Sequence, residues 1–263
     1  MSDPQVMLRV TCALLGIWGL LIAAQWAVDL KSWRAGGAGG WDLQSLRASR
    51  LYRSALLRHL FSDAGLKSRV SFLAVSSTAL LVVPISWTNL SAIGVFWIIT
   101  LLLNMRVGAD GGDKMALVVA SGAFLQCVGL RADQPLLHLA GVIWVGGQLT
   151  IAYATSGLSK LLLQPWRSGE ALAKALSSYM WGHGWMASLL RKRGMAKALA
   201  WAVILPELLF PLALFLPQSG LLAVLGLFFL FHWAIAWLMG INSYPWAFAA
   251  AYPSVLMLAA WLG

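Results

Sequence analysis

The chain has 263 residues, of which 60% are hydrophobic and only 11% charged, with a formal net charge of +10. A soluble domain carries about a quarter charged residues, so this composition excludes an ordinary soluble fold and indicates an integral membrane protein. In that setting a basic excess marks cytoplasmic loops and attraction to anionic membrane lipids, and nucleic acid is not an expected partner.

The first apolar run, about 6–28, follows MSDPQ and shows no small-residue cleavage site, so it reads as a retained span and not a removed signal peptide. A polar stretch follows, with leucines at helical spacing and arginines between them. That pattern predicts an amphipathic helix at about 41–62 lying in the membrane interface. Second and third spans are expected at about 69–87 and 89–105, and the loop MRVGADGGDK leads into a fourth at about 115–131. The fifth, about 135–160, ends in ATSGLSKLLLQPWRSGEAL. A second interfacial helical stretch is expected at about 167–195. The sixth and seventh spans, about 198–216 and 220–240, flank Pro217-Gln218-Ser219-Gly220, and the eighth begins near Tyr244-Pro245. The expected fold is therefore an all-α, polytopic membrane helix bundle, one integral domain over 1–263 with about eight transmembrane helices and two interfacial helices.

Charge fits that topology. Seventeen of the 19 Lys and Arg residues fall in the loops 29–68 (with the edge residue Arg69), 106–114 and 160–197 on one face, leaving only Arg9 and Arg131 on the other. The positive-inside rule makes the basic face cytoplasmic and places both termini outside. Cys12 and Cys127 lie inside apolar runs without ligand spacing and read as small buried hydrophobes.

Polar groups at membrane depth carry the candidate chemistry. Lys160 lies one turn after Ser156, with Tyr153 on a neighbouring line of the helix. Its ammonium either snorkels to water or, desolvated beside a lipid-soluble substrate, acts as a base. Glu207 follows Pro206 inside the sixth span, where a carboxylate must be protonated, paired or wet. His232 sits in the most apolar part of the chain, where imidazole serves either packing or proton movement. Asp110, Gly111, Gly112 and Asp113 form either an ordinary turn or a backbone cradle for a polar head group. His59, His138, His183 and His232 are scattered without metal-ligand spacing, and neither a P-loop nor a GxSxG elbow is present.

Three segments in order, DGGDK before a span, SGLSKL followed by PWRSGEAL, and PELLFP followed by FLFHWAIAWLMGINSYPWAF, resemble the horizontally transferred transmembrane (HTTM) domain family, over roughly residues 100–250. This family includes vitamin K-dependent gamma-carboxylase and a membrane protein that matures a sporulation-delaying toxin. The resemblance implies that Lys160 is a catalytic base acting on a reduced quinone, with His232 near the reaction chamber and Glu207 or Asp113 assisting. It also implies a quinone-like site built from Tyr153, Ser156 and the Asp110–Asp113 loop, in a bacterial cytoplasmic membrane. Ser159 stands where the carboxylase has a further lysine, and the carboxylase's extramembrane region has no counterpart after the last span. The resemblance therefore leans towards maturation of a secreted antimicrobial peptide, with that peptide as substrate. A non-catalytic subunit bound to another membrane protein is the alternative.

Overall fold

The computed structural model describes residues 3–263 except 34–36, 38–45, 47–54, 61, 105–108, 179–183, 191 and 193. Among the described residues the fold is all-α, and six helices are long and apolar enough to cross a membrane. The first is α1 (Pro4–Val28), started by the Asp3 side chain accepting from Gln5 N at 2.8 Å and by Pro4 in the first turn, where a missing N–H costs nothing. Next come α2 (Asp63–Val82), opened by a Ser62 cap, and α3 (Trp87–Asn104). Then follow α4 (Gly111–Arg131) and α5 (Pro135–Leu162). Two short helices, α6 (Glu170–Ser177) and α7 (Gly184–Leu190), precede α8 (Met195–Leu209), which tightens into a 3-10 segment over Phe210–Phe215. The last are α9 (Gln218–Met239) and a broken pair, α10 (Tyr244–Ala249) and α11 (Tyr252–Leu262).

Six spans by length and composition, where eight are expected, is the main difference from the sequence reading. The expected spans at 69–87 and 89–105 fold as α2 and α3 but fall outside the six. Lys67, Arg69 and the Ser/Thr residues of its second half dilute α2, and the apolar stretch of α3 among the described residues is Asn89–Leu102. The interfacial stretch at 41–62 lies mostly outside the described residues, with Ala55–Leu60 helical. That at 167–195 resolves into the ends of neighbouring elements plus α6 and α7, and His183 lies outside the described residues.

Packing explains where the small residues sit. The α2 helix runs antiparallel along α1: Arg69 lies 5.6 Å over the Trp26 ring near one end, and Arg9 reaches the last turn of α2 at the other. There the Arg9 guanidinium donates to the carbonyls of Leu80 (2.9 Å), Val83 (2.5 Å) and Leu81, groups that a helix end leaves without intrahelical donors. Helices α4 and α5 cross on glycine, where a Cβ on Gly141 would lie 2.6 Å from the Gly122 carbonyl. Such close approach of backbones supplies the dispersion that holds helices together in lipid, where no hydrophobic drive exists between them. One apolar core runs through α1 to α5, the 3-10 segment and α9 to α11. A second, smaller cluster joins Leu176 of α6 and Met186 and Leu190 of α7 to Leu199, Leu238 and Met239.

Arg9→Gln is expected to lower stability by about 2 kcal/mol, since hydrogen bonds to a charged group are each worth about 1.5–3 kcal/mol. Thermal unfolding in a single detergent measures it, and an unchanged midpoint would mean that water or lipid caps α2 as well as Arg9 does.

Candidate functional site

The site starts from a crossing that a single hydrogen makes feasible. At Gly157, α5 meets α8 so closely that a Cβ there would fall on the backbone of Leu208 and near that of Glu207. The crossing places one turn of α5 against the turn of α8 that follows Pro206, a proline inside the helix. Proline removes one i→i−4 hydrogen bond and the helix tightens to 3-10 from Phe210, so Glu207 occupies an irregular, buried turn.

Lys160 does not simply reach out to water. Its Nζ lies 2.5 Å from Glu207 Oε2 and donates to Ser156 Oγ at 2.6 Å, with the lysine side chain 15% exposed and the glutamate 7%. The Trp166 ring stands 5.4 Å from the same Nζ, close enough for a cation–π contact. Ser156 thus serves the lysine directly, one turn back on α5.

A second polar pair lies close by. The Tyr153 hydroxyl and His232 Nε2 are 2.7 Å apart, joining α5 to α9. Tyr153 packs on Phe210 (centroids 4.6 Å) and Phe228 (4.4 Å), and the His232 ring on Phe248 (4.1 Å) and Tyr244 (5.2 Å). His232 is 2% exposed, and its Nδ1 has no hydrogen-bond partner among the described residues. A buried imidazole nitrogen without a partner costs about 1–3 kcal/mol, so a polar group brought to it would be bound favourably. Tyr153→Phe is expected to destabilise the protein by about 1–2 kcal/mol, because it leaves the other ring nitrogen without its partner too. Thermal unfolding reads that cost, and no change would mean that the hydroxyl and imidazole are not paired.

Both pairs border one cavity of about 750 Å³. Its size falls within the range of small-molecule sites, and its wall is predominantly apolar. Tyr153, Ser156, Lys160, Glu207, His232 and Gly111 all line it. Asp110, Gly112 and Asp113 do not line it, and the two aspartates have a different role. Asp110 Oδ1 accepts from Asp113 N at 2.9 Å and Asp113 Oδ2 from Asp110 N at 3.1 Å, a capping box that starts α4. The glycines between them admit Tyr244: a Cβ on Gly111 would lie 2.5 Å from its hydroxyl, and one on Gly112 3.2 Å from its ring. The four-residue loop therefore seats the ring that backs His232. Tyr244, Trp166, Lys114 and Gln148 also line the cavity and were not singled out from the sequence. Tyr244 offered a signal only as the residue before Pro245 at a span start, and Trp166 only as a boundary tryptophan.

A smaller groove of about 150 Å³ continues outward between α8 and α9. It shares Ala202, Val203, Glu207 and Phe231 with the cavity and is also lined by Leu227 and Leu230, which are 56% and 66% exposed. Helix α8 together with its 3-10 segment (Met195–Phe215) and α9 are each long and apolar enough to span, and the rim of this groove is apolar and exposed. No three His, Cys, Asp or Glu side chains cluster as metal ligands among the described residues.

No family model, curated protein or solved structure matches the chain.

Proposed function

We propose that this chain is a membrane enzyme that takes a proton from a hydroxyl of a lipophilic, quinol-like molecule reaching the cavity from the bilayer. The carrying observation is the Lys160–Glu207 pair, 2.5 Å apart, on the wall of an apolar cavity of about 750 Å³ that also holds Tyr153 and His232. An ion pair in low dielectric is costly to desolvate, so a pair kept at a cavity wall fits a purpose beyond stability.

The proton balance does not depend on where the pair's own proton resides. With the pair charge-separated, Glu207 accepts the incoming proton. With the pair neutral, the Lys160 amine accepts it. Either route ends with an ammonium beside a protonated carboxyl, and the pair's net charge rises from zero to +1. That charge sits next to the oxygen that lost the proton, which is electrostatic stabilisation of the kind that works best where water is excluded. Ser156 orients Lys160. The Tyr153–His232 pair lines the same cavity, where it would meet a second polar group of the same molecule.

The groove between α8 and α9 supports access from the bilayer, since a lipophilic tail can lie along Leu227 and Leu230 while the head meets Glu207. We further propose that α2 and α3 cross the membrane as an antiparallel hairpin, which restores the eight-span topology. The contact of α2 with both ends of α1 supports this. The reading agrees with the HTTM resemblance, in which Lys160 is the base, and the peptide-maturation role is the form of the activity we favour.

Reduced menadione carrying a single prenyl chain is the probe that tests the reading. Native mass spectrometry of the detergent-purified chain should show it retained at one per chain, and lost from the Lys160→Met, Glu207→Leu double variant. Equal retention by the double variant, or a stoichiometric protein partner in place of the probe, would refute the reading and favour a non-catalytic subunit.

A further inference from the structure

On the outer surface, away from the cavity, a third concavity of about 330 Å³ is lined by Gln164, Arg167, Ser168, Lys197 and Trp201. It contains two cations and no carboxylate. Two positive side chains on one small pocket repel each other, so their arrangement needs a physical cause. Part of the cause is local. Gly169 has φ +83, and a Cβ there would fall on the Ala196–Lys197 peptide, so the turn after α5 is pressed against the first turn of α8 in a way glycine alone permits. The Trp201 indole N–H then donates to the Arg167 carbonyl at 3.2 Å and ties the two segments together. Glu170, the acid next along the chain, is engaged by Lys174 at 2.6 Å.

The pocket continues into a lipid-facing ridge. Lys197, Trp201, Leu205 and Leu209 recur every four residues on α8, so they lie in one row along the helix. Leu205 and Leu209 are 45% and 51% exposed. The row therefore passes from a cation through an amphipathic indole to aliphatic side chains, the order of head group, interface and acyl chain in a phospholipid monolayer.

We propose that this pocket binds the phosphate of an anionic phospholipid, held between Arg167 and Lys197, with the glycerol region at Trp201 and an acyl chain over Leu205 and Leu209. The pocket shares no residue with the cavity, so the inference is independent of the proton-transfer reading. Arg167 and Lys197 both lie in the basic loop region 160–197, the face expected to meet the anionic leaflet.

The test uses the full chain in detergent, titrated with phosphatidylglycerol, phosphatidylcholine or inorganic phosphate. Lipid retention is read by native mass spectrometry and the unfolding midpoint by thermal scan. Phosphatidylglycerol should be retained over phosphatidylcholine and raise the midpoint. Arg167→Gln with Lys197→Gln should weaken its retention about 25-fold, from about fivefold for each cation removed near a charged membrane lipid. Both side chains are exposed, and the Trp201 tie is to a backbone carbonyl, so the variant keeps the fold. Lys192→Gln, an exposed residue outside the pocket, should leave retention unchanged. An equal loss in Lys192→Gln would overturn the proposal in favour of diffuse charge attraction. Inorganic phosphate raising the midpoint as far as the lipid does would overturn it in favour of a free anion.

Discussion

Lys160→Ala should destabilise the protein by about 3–5 kcal/mol, the cost of leaving a buried carboxylate without its cation. Glu207 is 7% exposed and fixed on the turn after Pro206, where its surroundings besides Lys160 are the walls of a predominantly apolar cavity. The opposite change, Glu207→Gln, should cost less, about 1–2 kcal/mol. The lysine keeps a four-carbon stem near the end of α5 and can swing its ammonium outward, and the amide still accepts a hydrogen bond. This asymmetry is the diagnostic. A surface ion pair would give two small and similar losses, typically under 1 kcal/mol each. The double variant Lys160→Met, Glu207→Leu removes both charges and fills the space, so it should recover most of the stability lost in Lys160→Ala. It should also fail to hold the prenylated menadiol. Denaturation in one detergent, with probe retention measured on the same samples, separates the two roles. A stable double variant without ligand means that the pair exists for the site. Near-neutral Lys160→Ala would mean that the lysine snorkels and leaves Glu207 otherwise satisfied.

The parts of this site were legible in the sequence one at a time. Lys160 announces itself as a charge closing an apolar run, Glu207 as an acid within one, and His232 as a lone imidazole in the greasiest segment. Each is an expense that demands a reason, which is why residue type alone singles them out. Their pairing was not legible. Glu207 lies 47 residues from Lys160, and His232 79 residues from Tyr153. Helical periodicity reports which face of a helix is apolar, and it carries no information on which helix meets that face. The carboxylates of the Asp110–Asp113 loop show the reverse case. Their D-x-x-D spacing before an apolar run is a helix start on local grounds alone, and the capping box follows from that spacing. Of the two readings the loop allows, an ordinary turn or a head-group cradle, the turn is the one that meets the demand that the first N–H groups of α4 be satisfied. Ser62 gave the same kind of signal for α2: its cap starts the helix at Asp63, six residues before the expected span, and brings Lys67 into the helix beside Arg69. The span count differs in part for that reason.

The largest functional effect from the smallest change is expected at Gly157. A methyl group there would overlap the Leu208 backbone, and backbone cannot move aside as a flexible side chain does. To reach ordinary carbon contact of about 3.5 Å, α5 and α8 must part by about 1 Å. Overpacking of this kind costs about 1–3 kcal/mol in stability. The consequence for the site is greater, because the same displacement separates Lys160 from Glu207, and a misplacement of about 1 Å costs catalysis about a hundredfold. Gly157→Ala should therefore lose probe retention while still folding. Gly147→Ala is the matched control: it lies on the same helix, and a Cβ there meets nothing within 4 Å. It should change neither stability nor retention. If Gly157→Ala behaved like Gly147→Ala, the α5–α8 crossing would have slack, and the site would not depend on the close approach of those two backbones. If it lost the ligand at nearly full stability, the glycine would be shown to set the distance between the two charges. The site would then be a property of how two helices cross, with the charged residues as its visible part.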